Sequence, residues 1–106
     1  MDTQKQILKD LKHKISADIG TLIVFIEEGN TTKIESAQQR AKSELLKHGP
    51  EMKKIAESMG ERYARAVREY LDSVDAIIHT SVTWIDQEKI RHCHIAAENL
   101  EKQIAA

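Results

Sequence analysis

The residues best suited to chemistry lie close together on one stretch of the chain: Glu88, His92, Cys93, His94 and Glu98. On a helix His92 and His94 would lie about 200° apart around the axis, so they could not bind one metal ion together. Two pairs with four-residue spacing remain, Glu88 with His92 and His94 with Glu98, and helical metal ligands use this spacing. A metal- or small-ligand-binding bundle that uses these four residues is therefore one hypothesis for the function.

A simpler interpretation of the same residues is electrostatic pairing on a solvated helix. A metal site needs further His, Asp or Glu ligands from other helices, and the predicted inward faces offer few, since Asp18, Glu44 and His48 only border them. Haem is not favoured either, because Met52 and Met59 fall on an apolar face where methionine commonly fills gaps. We expect no cofactor.

Enzyme activity is not indicated by any other group of residues. The sequence has no glycine-rich phosphate loop and no nucleophile placed beside a base. Cys93, the only cysteine, falls on an apolar stripe, where burial makes a thiol inert.

A single cysteine also excludes an internal disulfide, which favours a cytoplasmic location. The longest apolar run, at residues 22–26, is too short to cross a membrane.

The charge balance argues against a dedicated nucleic-acid-binding protein. Lys and Arg total 16 against 17 Asp and Glu, a net charge of −1. Arg62, Arg65 and Arg68 form the densest arginine group, but Arg65 and Arg68 each have at least one acidic residue at four-residue spacing. That pattern is typical of a solvated, ion-paired helix face, so a nucleic-acid-associated regulator is only a second alternative.

Composition and periodicity both predict an all-α fold in a single domain, residues 1–106. The chain is 41% hydrophobic and contains only one proline and four glycines, too few for the turns of an all-β fold. Apolar residues recur at three- and four-residue steps, which predicts a four-helix up-down bundle with helices at about 2–28, 31–48, 50–79 and 81–104. Gly29-Asn30 and His48-Gly49-Pro50 supply the first two breaks, and Thr32 to Glu35 forms a capping-box sequence.

One alternative architecture follows from the phase of the apolar residues after Pro50. Between Val67 and Ile104 they continue along one stripe with a period near eleven residues. This continuity predicts three helices, of which the last is a very long helix at 50–104 in an intertwined dimer. Low helix propensity at residues 79–83 favours the four-helix alternative.

The second half of helix one indicates a partner. From Leu22 to Ile26 apolar side chains point in every direction, and a helix that is apolar all round is buried all round. We therefore expect an interface at Ile23, Val24 and Phe25, and Tyr63, Tyr70 and Trp84 are the aromatic residues that could anchor it. These observations favour a non-enzymatic adaptor, chaperone or regulatory subunit. It would bind itself as a homodimer, with another protein as a further partner.

Overall fold

The computed structural model describes residues 2–79 and 86–106, which form four α-helices. These are α1 (Asp2–Glu28), α2 (Thr31–Met59), α3 (Glu61–Ile78) and α4 (Gln87–Ala105). No strand occurs within the described ranges, and the helices pack as a bundle. The predicted all-α four-helix fold is confirmed.

Contacts between the helices show that neighbouring helices run in opposite directions. Gln4 Nε2 of α1 lies 2.8 Å from Ser58 Oγ of α2, and Gln38 Nε2 of α2 lies 2.9 Å from the Ile78 carbonyl of α3. Lys12 Nζ of α1 lies 3.2 Å from Glu101 Oε1 of α4. Each pair joins the early part of one helix to the late part of another. Consecutive helices pack closely, whereas α1 and α4 approach each other over a much smaller area.

The core lies around α3, the shortest of the four helices. Ten of its 18 residues are buried, and they spread widely around the helix because α2, α4 and α1 all contact it. From α1 the core receives an apolar stripe with three- and four-residue spacing, in which every residue is buried: Leu8, Leu11, Ile15, Ile19, Leu22 and Ile26. We refer to these six residues as the core stripe of α1.

The predicted boundary between the second and third helices is wrong. α2 continues through Gly49 and Pro50 and ends at Met59, so the predicted helices 31–48 and 50–79 are instead Thr31–Met59 and Glu61–Ile78. Glycine before Pro50 removes the Cβ that would clash with the proline ring in a helical conformation. Gly60 makes the actual break, because its φ of +122° lies where residues with a Cβ are strained.

The long helix at 50–104 is also excluded, since the chain leaves helical geometry at Gly60 and again after Ile78. Asp86 caps α4, accepting hydrogen bonds from the backbone N–H groups of Glu88 and Lys89 at 3.1 and 3.2 Å. The predicted start of helix four at residue 81 lies outside the described residues.

At the start of α2, Asn30 is the N-cap rather than the predicted Thr32, and its side chain accepts a hydrogen bond from the Lys33 N–H at 3.3 Å. Gly29, with φ of +68°, ends α1 as predicted.

The continuity of α2 predicts that Pro50→Ala stabilises the protein. Pro50 is exposed and lies inside the helix, so alanine restores a missing backbone hydrogen bond without disturbing the core. We expect the free energy of unfolding in urea to rise by about 2 kcal/mol. Gly60→Ala is the matched change at a true helix end, and we expect it to lower stability by about 1–3 kcal/mol. No gain from Pro50→Ala would contradict a continuous α2.

Candidate interaction surface

The predicted interface at residues 23–25 is divided between the interior and the surface. Ile23 is only 7% exposed, so the prediction that it lies on a surface patch is wrong. Its side chain lies beside the core stripe, on the side of α1 that faces α4. Phe25 is half-buried on the α2 side, and Lys33 Nζ lies 5.5 Å from its ring centroid. Val24 alone is available to a partner, with 48% of its surface exposed.

Val24 belongs to an exposed strip of α1 on the side opposite the core stripe. The strip, which we call the outward face of α1, is made of eight exposed residues: His13, Lys14, Ala17, Gly20, Thr21, Val24, Glu27 and Glu28. Its four central residues are uncharged, while its two ends carry charges of opposite sign. Sequence reasoning missed this strip, although the only glycine inside α1, Gly20, lies at its centre.

Charge is unevenly distributed along α1. All four lysines of the helix lie within its first half, at Lys5, Lys9, Lys12 and Lys14, and no Lys or Arg follows them before Glu28. The last turn contains Glu27 and Glu28, at the end where the helix dipole is negative. Among the described residues, neither of these glutamates nor Lys14 forms an ion pair. Exposed Asp10 lies one turn before Lys14 on the same side of the helix, so the basic end of the outward face has an acidic neighbour whereas the acidic end has no lysine or arginine of α1 nearby.

A groove of about 240 Å³ runs between α1 and α4, beside the outward face. It is lined by residues of three helices: Lys12, Ser16, Ile19, Gly20 and Ile23 of α1, Tyr70 of α3, and Cys93, His94 and Ala97 of α4. The Tyr70 hydroxyl shares a hydrogen bond with Ser16 Oγ and lies 3.4 Å from the Lys12 carbonyl. Burial raises the pKa of Tyr70 above its ordinary value, so the phenol stays neutral and ties α3 to α1.

Cys93 lies at the α4 side of this groove but is only 4% exposed. Burial raises the pKa of its thiol, with the Ser73 hydroxyl and Lys12 acting in the opposite direction. A buried thiol with a raised pKa reacts slowly, so Cys93 behaves as a small core residue. This location agrees with its predicted place on the apolar stripe.

Lys12 and Glu101 form the ion pair that joins α1 to α4. The Lys12 side chain is 9% exposed and its Nζ lies 3.2 Å from Glu101 Oε1. A hydrogen bond from Lys12 and its positive charge hold the pKa of Glu101 below the usual range of a glutamate. No sequence pattern marked this pair, because its partners lie on helices at opposite ends of the chain.

The predicted aromatic anchors are not surface residues in the described part of the chain. Tyr63 and Tyr70 are 6% and 1% exposed and belong to the core. Tyr70 nevertheless shares the α1–α4 groove with Ile23. Trp84 lies outside the described residues.

The predicted metal ligands lie on α4 and are exposed: Glu88, His92, His94 and Glu98. Glu88 pairs with Arg91 at 2.8 Å rather than with His92. Within residues 2–79 and 86–106 no three His, Cys, Asp or Glu side chains come together in a way that could hold a metal ion. The structure therefore brings no further ligand to either predicted pair.

Comparison with protein-family models, with curated proteins and with solved structures gives no significant match. Among the described helices, none is both long enough and apolar enough to cross a membrane.

We predict that Glu101→Gln lowers the free energy of unfolding by about 1 kcal/mol at pH 7, because it leaves the nearly buried Lys12 ammonium without its partner. The depressed pKa of Glu101 stabilises the fold above the ordinary glutamate pKa, and this contribution is lost as pH falls through the lowered value. The difference between the two proteins should therefore disappear in acid. Glu98→Gln, which changes an exposed glutamate of the same helix, is the control, and an equal loss there would contradict a specific Lys12 pair.

Proposed function

We propose that this protein is a non-enzymatic protein-interaction module that binds a second copy of itself through the outward face of α1. An adaptor, chaperone or regulatory subunit would act in this way. The observation that carries the proposal is the exposure of Val24, 48%, at the C-terminal edge of the uncharged part of the outward face, on a helix whose opposite side is buried. Exposed apolar side chains within an uncharged surface favour contact with another molecule.

Three other large apolar side chains are exposed in the described residues, Ile7 at 39% and two that lie beside several charged groups. Ile95 of α4 is 57% exposed, and its neighbours in a shallow pocket include Glu69, His92 and Lys102. Leu46 of α2 is 68% exposed, beside a pocket that contains Lys53, Asp72 and Asp75. Charged groups close to these two side chains keep the surrounding surface hydrated. Gly20 and Thr21, one turn before Val24, carry no charge, whereas the exposed Glu27 and Glu28 lie one turn after it.

The size of the surface sets the expected strength of association. Burying the exposed part of one valine on each copy contributes about 1 kcal/mol per copy, since a fully buried valine contributes roughly 1.5–3 kcal/mol. This contribution alone is too small for tight binding, so close backbone approach at Ala17 and Gly20 must add dispersion contacts. We expect a dimer that forms in the micromolar to millimolar range rather than an obligate one.

Sedimentation equilibrium over a wide range of protein concentration tests this function. We expect the mass to approach twice 12.1 kDa at about 0.5 mM protein. Val24→Lys should keep the protein monomeric over the same range, because it places a charge in the centre of the contact. Ile95→Lys makes the same change on the outer face of α4 and should leave association unchanged. A monomer at every concentration, or equal effects of the two variants, would contradict the proposal.

A further inference from the structure

We infer that the two copies pack α1 against α1 in antiparallel orientation, about a twofold axis that passes between Gly20 and Thr21. This inference rests on the proposed function and adds to it the interacting segment, its direction and its register. In this arrangement Lys14 of each copy faces Glu28 of the other, and Ala17 faces Val24. Twofold symmetry requires such a self-complementary surface. If Ala17 of the first copy contacts Val24 of the second, then Val24 of the first copy also contacts Ala17 of the second.

The register follows from the positions of the uncharged residues. Ala17 and Val24 are equally far from the midpoint between residues 20 and 21, about 5 Å along the helix at the α-helical rise. An antiparallel copy centred at this midpoint therefore places the small Ala17 against the larger Val24 at two equivalent contacts. Gly20 and Thr21 then lie near their own counterparts, close to the axis.

The charged residues at the two ends agree with the same register. The outward face has two edges, one on each side of its midline. A twofold axis perpendicular to the helices places each edge, or flank, beside the same flank of the second copy, whose helix runs in the opposite direction. Lys14 and Glu28 share one flank and His13 and Glu27 share the other, by their angular positions on the helix. In the proposed register, the two residues of each pair come from different copies and differ in position along the helix axis by about 1.5 Å. Both flanks thus place a basic residue beside an acidic one.

Electrostatics favours this orientation over a parallel one. Glu27 and Glu28 lie at the negative end of the α1 dipole, and in the described residues no cation of the same chain pairs with them. An antiparallel second copy brings His13 and Lys14 to that end and also opposes the two helix dipoles. A parallel copy would place lysine beside lysine and glutamate beside glutamate, which is repulsive.

Gly20 gives independent support for a close approach of two helices. Glycine inside a helix is less stable than alanine, so its presence needs a reason. The monomer provides none, because a Cβ at Gly20 would meet no atom within 4 Å and its φ is not positive. Absence of a side chain near the twofold axis allows the backbones of two copies to come close together.

Charge reversal on the outward face tests the register. Lys14→Glu and Glu28→Lys should each weaken the dimer about tenfold, because each turns two attractive contacts into repulsive ones. The double variant Lys14→Glu/Glu28→Lys restores opposite charges at both contacts and should recover most of the affinity. Both side chains are exposed, so circular dichroism should show unchanged helicity in all three variants.

The outcomes separate this inference from the proposed function. Failure of the wild-type protein to dimerise would overturn both. Dimerisation that Val24→Lys abolishes, combined with no effect of either charge reversal, would leave the interaction module intact and overturn the antiparallel register. Additive weakening in the double variant, in place of recovery, would also overturn the register.

Cysteine cross-linking gives a second, geometric test of direction. Thr21→Cys places two thiols close to the twofold axis, and mild oxidation should produce a disulfide-linked dimer. Ala17→Cys is the matched control, because the two copies of residue 17 would be about 10 Å apart along the helices, beyond the reach of a disulfide. Native Cys93 is 4% exposed and should not cross-link. Efficient cross-linking through Ala17→Cys would show a parallel dimer and overturn the inference.

Discussion

The burial of α3 on three sides is the constraint on which the rest of the structure depends. As the shortest helix, α3 reaches all three of its neighbours with ten buried residues, so the other helices must be arranged around it. α2 and α4 cover it from either side, and Tyr70 extends to α1, where its hydroxyl meets Ser16. α1 therefore packs mainly on α2, and the Lys12–Glu101 ion pair joins it to α4.

Because α1 occupies this lateral place, one of its sides has no partner in the described part of the chain. The core stripe and Ile23 are covered, whereas the strip around Val24 faces outward. That strip has a basic beginning, an uncharged centre and an acidic end. An antiparallel second copy therefore places the basic residues of each copy beside the acidic residues of the other. Two features of this strip, Gly20 and the acidic last turn, reduce the stability of an isolated α1. The proposed association of two copies gives a reason for both.

Sequence periodicity was sufficient for the number of helices and for the core stripe of α1, since burial follows directly from residues three and four apart. It failed at Pro50, because the effect of a proline depends on whether the preceding residue has a Cβ and on which side of the helix faces water. The exposure of Val24 was predictable from its angular position, but the burial of Ile23 was not. Ile23 is buried because one side of α1 faces the groove beside α4. The order of the helices around α3 decides which side that is, and local periodicity does not determine this order. The Lys12–Glu101 and Ser16–Tyr70 contacts depend on the same order.

The central claim is that the outward face of α1 is a surface for self-association. Nuclear Overhauser effects measured in a mixture of isotope-labelled and unlabelled protein test it most directly, because they report only contacts between different copies. We predict intermolecular effects between the methyl groups of Val24 and that of Ala17, with none at Ile95 of α4. Intermolecular effects confined to other faces, or none at concentrations where the mass is that of a dimer, would contradict the claim.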